Sequence, residues 1–100
     1  MEYRSLGSLK VSLVGLGCNN FGWRIDAAAT QTVVDAAIDA GINFFDTANE
    51  YSKGRSEEIL GRLMKGHRDD LVVTTKVFNP IRDDVNARGG SRRHIAQAVE

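Results

Sequence analysis

Short, largely apolar runs alternate with segments of helical periodicity along most of this chain, and that alternation limits the folds open to it. The runs are residues 13–17, 42–45 and 71–75. Each is short enough for a strand, and each lacks the polar alternation of a strand with one wet face. Between them lie amphipathic segments. Asp26 predicts the N-cap of a helix through Ala40, with Ala29, Val33, Val34, Ala37 and Ile38 at helical spacing and Gly41 as the stop. Residues 55–65 place Ile59, Leu60, Leu63 and Met64 on one face; Glu57 and Glu58 suit the helix dipole in the first turn, and Gly66 ends the pattern. A last helix, capped by Ser91, is expected to turn Ile95, Ala98 and Val99 inward. Ahead of all this, residues 3–6 and 9–14 read as a β-hairpin around Gly7-Ser8.

Apolar strands that are each followed by an amphipathic helix predict a parallel sheet covered by helices. Two architectures satisfy the order: an open doubly wound sheet, or the first part of a (β/α)8 barrel. A complete barrel takes roughly 250 residues, so a chain of this length holds about three of eight units. One hundred residues with 42% apolar content suit one domain with a core. Thirteen basic residues balance thirteen acidic ones without a basic stripe, so no nucleic-acid partner is expected. No apolar run approaches the length of a membrane span, and no hydrophobic leader follows the first residues. The lone Cys18 has no internal disulfide partner, which fits a reducing, cytoplasmic setting.

The stretch GINFFDTANEYSKGRSEE, residues 41–58, interrupts the packing pattern with chemistry. Asp46 closes an apolar strand, Tyr51 stands in the loop that follows, and Lys76 closes the next strand. In parallel α/β folds the active face lies at the carboxyl ends of the strands, and right-handed crossovers bring these three to the same end. An ammonium beside a phenol favours the phenolate and makes a tyrosine a usable general acid or base; a carboxylate keeps the lysine charged and oriented. The set suits protonation of a carbonyl oxygen during reduction, or the reverse. Each residue alone has an ordinary explanation, as loop cap, packing aromatic or solvated strand end. Only the combination points to catalysis.

A dinucleotide fingerprint at Gly15-Leu16-Gly17-Cys18-Asn19-Asn20 fails, because Asn20 replaces the third glycine and a loop precedes the helix. No phosphate-binding Walker motif and no Cys/His cluster for a metal is present, and nothing marks a base beside Cys18.

GINFFDTANEYSKGRSEEILG followed by LVVTTKV resembles the aldo-keto reductases, NADPH-dependent carbonyl reductases built on a (β/α)8 barrel. The resemblance extends to the hairpin and to LVGLGCNNFG, and so covers essentially the whole chain. It implies an α/β fold in which residues 1–100 are the N-terminal part of a single TIM-barrel domain: the hairpin, then about three βα units. It implies that Tyr51 is the proton donor and touches the substrate, that Lys76 activates it, and that Asp46 partners Lys76 beside the nicotinamide ribose. Cys18 and Asn19, with Arg24 as a third, are implied contacts to the nicotinamide end of NADP(H). Trp23 would line the substrate pocket or cover the barrel mouth. The family's substrate-positioning histidine follows the next strand and would lie past Glu100. His67 and His94 do not match it and are expected at the surface. The implied partner is a small-molecule carbonyl substrate, with the oligomeric state open. A chain of these units taken alone is expected to be inactive and poorly stable. A cofactor-sensing regulatory protein on the same scaffold, or an inactive fragment, is the alternative.

Overall fold

The computed structural model describes residues 1–100. Strands β1 (Tyr3–Leu6) and β2 (Leu9–Ser12) form the expected antiparallel hairpin, with Tyr3 opposite Ser12 and Leu6 opposite Leu9. Then follow β3 (Leu16–Gly17), α1 (Ala27–Asp39), β4 (Phe44–Asp46), α2 (Arg55–Leu63), β5 (Val72–Thr74) and α3 (Arg92–Val99). Strands β3, β4 and β5 make one parallel sheet in that order. Two of the helices begin where their caps predict: Asp26 Oδ1 accepts from Ala29 N at 2.9 Å, and Ser91 Oγ accepts from His94 N at 3.1 Å.

Strand alternation sorts the sheet into two faces. Phe45 is fully buried with Val34 and Ala37 of α1 and Leu60 of α2, and its register partners Leu16 and Val73 pack at the margin of that cluster. Phe44, Asp46, Val72 and Thr74 point the other way and are only half-buried. Strands 42–45 and 71–75 are therefore covered on one face, not on both as their composition suggested. A Cβ on Gly15 would stand 2.9 Å from Phe44 Cδ1, so the close approach implied by the small residue is made by that ring.

Four details differ from the sequence-based expectation. The first parallel strand pairs only at Leu16 and Gly17, because Leu13 and Val14 form an exposed bend between the hairpin and the sheet. Helix α1 buries Thr30, Val34 and Ala37 and leaves Ala29 and Val33 outward. Thr30 tolerates burial because its hydroxyl donates to Asp26 O at 2.7 Å. Helix α3 is turned so that His94 is 1% exposed while Val99 is 77% exposed and Ile95 also faces solvent. Position 94, with Ala98 a turn later, is the side of the helix that meets the protein. His94 is therefore not a surface residue, whereas His67 is. Finally, the loop 78–90 is closed on itself, with Gly89 N donating to Phe78 O at 2.6 Å and Ala87 fully buried.

The hairpin is fastened to the amino end of the sheet. Asn43 Oδ1 accepts from Ser12 N at 2.7 Å, Asn43 Nδ2 donates to Lys10 O at 3.0 Å, and Asn43 N donates to Ser12 Oγ at 3.2 Å. Tyr3 Oη donates to Gly41 O at 2.7 Å. That end is closed by polar groups with their partners in place.

Candidate active site

At the opposite end, backbone bonds continue the sheet past the strands. Cys18 N donates to Asp46 O at 2.9 Å, Thr47 N to Thr74 O at 2.9 Å, and Asn49 N to Lys76 O at 3.1 Å. They hold the three outgoing loops side by side, and so set the origin of each side chain that follows.

Asp46 lies in register with Gly17 on one side and Thr74 on the other. Tyr51 opens a tight turn, Tyr51–Gly54, in which Ser52 and Lys53 have φ of 51° and 55° and Gly54 has φ of 91°. A non-glycine residue in this left-handed region costs about 1–2 kcal/mol. The turn accepts that strain in order to reverse the chain between the phenol and the first turn of α2.

Lys76 Nζ joins the set. It donates to Asp46 Oδ2 at 2.7 Å, to Thr47 O at 2.9 Å and to Tyr51 Oη at 3.3 Å. An ammonium has three N–H groups, and all three are engaged. The Tyr51 oxygen therefore accepts, and its own O–H has no protein partner. The Asp46 carboxyl is held below the ordinary carboxylate range, first by the Lys76 hydrogen bond and then by the Thr74 hydroxyl. Lys76 is held above the ordinary lysine value, first by Asp46, with desolvation opposing and Tyr51 adding. With the two side chains 51% and 42% exposed, the ion pair adds under about 1 kcal/mol to stability. Its effect is to orient.

The other sequence-predicted site residues stand as follows. Cys18 is fully buried, and burial pushes its thiol up to about 12. Its N–H is bonded to Asp46 O and its carbonyl accepts from Ser56 Oγ at 2.7 Å, so it anchors the loop 18–24 and presents no free group. Asn19 is exposed on the same loop. Trp23 is 65% exposed with the Arg24 guanidinium 4.6 Å from its ring centroid, a cation–π stack at the rim. No hydrogen bond or ion pair ties that stack to Tyr51. Gly22 bends the loop at φ 76°, and a Cβ there would lie 2.8 Å from Arg55 Cβ, so only glycine lets the loop seat against α2.

Sequence reasoning missed three contributors. Thr47 supplies a carbonyl to Lys76, and its hydroxyl shares a buried 2.9 Å bond with Ser56, which in turn holds Cys18 O. Thr74 Oγ1 donates to Asp46 Oδ1 at 2.7 Å. For Thr74 the signal was present: it ends the strand two residues before Lys76, and in extended chain the period of two puts both side chains on one side. For Thr47 and Ser56 no pattern announces the bond.

Beside Asp46 the floor is open. A Cβ on Gly17 would meet nothing within 4 Å, so the chain is open at the position in register with Asp46.

Comparison with known proteins follows the same lines. A sequence model of the Aldo/keto reductase family matches residues 13–100. A probable voltage-gated potassium channel subunit beta of Oryza sativa subsp. japonica is 39% identical over 105 residues, covering 99% of this chain and 32% of that protein. The uncharacterized oxidoreductase YqkF of Bacillus subtilis (strain 168) is 39% identical over 106 residues, covering 100% of this chain and 33% of its own length. The holo form of aldo-keto reductase AKR11C1 from Bacillus halodurans superposes with a TM-score of 0.86 at 34% identity, over 99% of this chain and 34% of that one. The chain thus spans about a third of the length of these relatives.

Proposed function

The chain belongs to the aldo/keto reductase family, and from that premise we propose that residues 1–100 are the N-terminal part of an NADP(H)-dependent barrel enzyme that reduces an aldehyde or ketone to an alcohol. The observation that supports this most is the hydrogen-bond geometry of Lys76. Three acceptors saturate its ammonium, and the Tyr51 O–H, beside that positive charge, has no protein acceptor.

In this reading a nicotinamide held beside Asp46 and the loop 18–24 would supply hydride to the carbonyl carbon. Tyr51 donates its phenolic proton to the carbonyl oxygen as negative charge develops there. The phenolate left behind faces Lys76 Nζ at 3.3 Å, whose charge stabilises it. Asp46 keeps that charge in place and borders the open space above Gly17, where the ribose would rest. Asn19 and Arg24 are the loop residues proposed to meet the cofactor, and Trp23 to border the substrate. Cys18 acts through the backbone bonds that set the loop.

A second reading has a specific observation behind it: relatives in two plants bear the name of probable potassium channel beta subunits. On that reading the scaffold senses cofactor and reports to a protein partner. Carbonyl-dependent oxidation of NADPH by the natural full chain separates the two. Turnover on simple aldehydes supports the enzyme; tight NADPH binding with no turnover on any aldehyde or ketone tried favours the sensor. The 100-residue chain alone, with one sheet face uncovered, is expected to show neither turnover nor high stability.

A further inference from the structure

We infer that Thr74 is a positioning residue for the candidate active site: its hydroxyl fixes the Asp46 carboxylate so that Lys76, and through it Tyr51, is held ready. The inference rests on the catalytic reading above, but its geometry stands apart from it.

Asp46 and Thr74 are direct partners in the β4–β5 ladder. Thr74 Oγ1 donates to Asp46 Oδ1 at 2.7 Å while Lys76 Nζ donates to Asp46 Oδ2 at 2.7 Å. The last torsion of an aspartate is broad, so a carboxylate held by one oxygen swings freely, whereas one held by both does not. Thr74 is suited to the second hold. Its β-branched side chain has few χ1 states, and its carbonyl accepts from Thr47 N at 2.9 Å, which locks the backbone on the far side as well. Thr74 thus grips Asp46 with its hydroxyl and Thr47 with its carbonyl, and those two residues supply two of the three acceptors of Lys76.

The weakest of the three Lys76 bonds is the one to Tyr51, at 3.3 Å. If Asp46 rotates, the ammonium follows its shorter bond and the contact with Tyr51 is the first to be lost. The titratable groups around Asp46 are Lys76 after β5, Tyr51 in the turn after β4, and the buried Cys18 thiol after β3. Only Lys76 among them makes a side-chain bond to the carboxylate. Removing the Thr74 hydroxyl therefore has one direct electrostatic consequence: the ionised Asp46 loses a donor.

The test is Thr74→Val, close to threonine in shape, with Thr74→Ser as the variant that returns the hydroxyl, both in the natural full chain. Turnover with NADPH and an aldehyde is expected to fall on the order of tenfold to a hundredfold in Thr74→Val with little change in KM. The Asp46 carboxyl, followed by carbon NMR, is expected to titrate at higher pH than in the parent. Thr74→Ser is expected to restore both. An unshifted Asp46 titration in a Thr74→Val protein with native circular dichroism overturns the inference, as does a turnover equal to the parent's. Should Thr74→Val fail to fold, a Thr74→Ser protein whose Asp46 titrates above the parent value overturns it as well, and one that titrates with the parent supports it. A parallel Tyr51→Phe variant keeps the layers apart. Unchanged turnover there removes the catalytic reading, while the Asp46 titration still decides whether Thr74 holds the carboxylate.

Discussion

The two ends of the parallel sheet are both built from polar residues at strand termini, yet they do opposite things. At the amino end, Asn43 uses its backbone N–H, its amide oxygen and its amide nitrogen on Ser12 and Lys10, and Tyr3 uses its hydroxyl on Gly41. At the carboxyl end, Asp46, Lys76 and Tyr51 also bond to one another, but the set finishes on a phenolic O–H with no partner in the protein. Two tyrosines make the contrast sharp. Tyr3 donates to a backbone carbonyl and is part of the scaffold; Tyr51 accepts from an ammonium and its O–H has no acceptor in the protein. Which groups are left open, and not residue type or exposure, separates structure from chemistry here.

That contrast can be broken from either side. The largest expected effect is at the carboxyl end. Lys76→Met in the natural full chain removes the donor shared by Asp46, Thr47 and Tyr51, and carbonyl reduction is expected to fall about 10²–10⁴-fold. Its unfolding free energy should change by under about 1 kcal/mol, because the ion pair is well exposed. Urea unfolding and steady-state kinetics on one preparation check both halves.

Asn43→Ala should give the mirror image. Freeing Ser12 N and Lys10 O from their partner is expected to cost about 1–3 kcal/mol in unfolding free energy, with turnover per folded molecule unchanged. Ser56→Ala sharpens the comparison further, since Ser56 sits at the active end but all its bonds are internal. It should behave like Asn43: Cys18 O and the Thr47 hydroxyl lose a buried partner, costing about 1–3 kcal/mol in urea unfolding.

The smallest effect is in pH. Asp46 titrates lower in the folded chain than in the unfolded one, so its contribution is present above the ordinary carboxylate range and lost as pH falls through its folded value. Lys76 titrates higher in the folded chain, so its contribution is present below the ordinary lysine value and lost as pH rises past its folded one. Urea midpoints should therefore be flat between about pH 5 and 10 as far as this pair is concerned, with a decline of under about 1 kcal/mol on the acid side.

Much of this is legible in the sequence. The hairpin, the βα order and the helix caps at Asp26 and Ser91 follow from local patterns that tertiary packing did not override. Asp46, Tyr51 and Lys76 were legible because strand ends in a parallel sheet share one side. What stayed hidden depends on phase and on partners distant in sequence. The rotation of α3 turned His94 inward in place of Ile95 and Val99, and no periodicity in eight residues fixes that. Ser56 reaches Cys18 across 38 residues, a bond written in no motif spacing.

The central claim is that Tyr51 supplies the proton, and Tyr51→Phe in the natural full chain tests it most directly. That substitution removes one hydroxyl that serves no other protein group except Lys76. Carbonyl reduction with NADPH should drop at least about a hundredfold while NADPH affinity and the melting temperature stay at parent values. A Tyr51→Phe protein that reduces the same carbonyl at the parent rate would contradict the account.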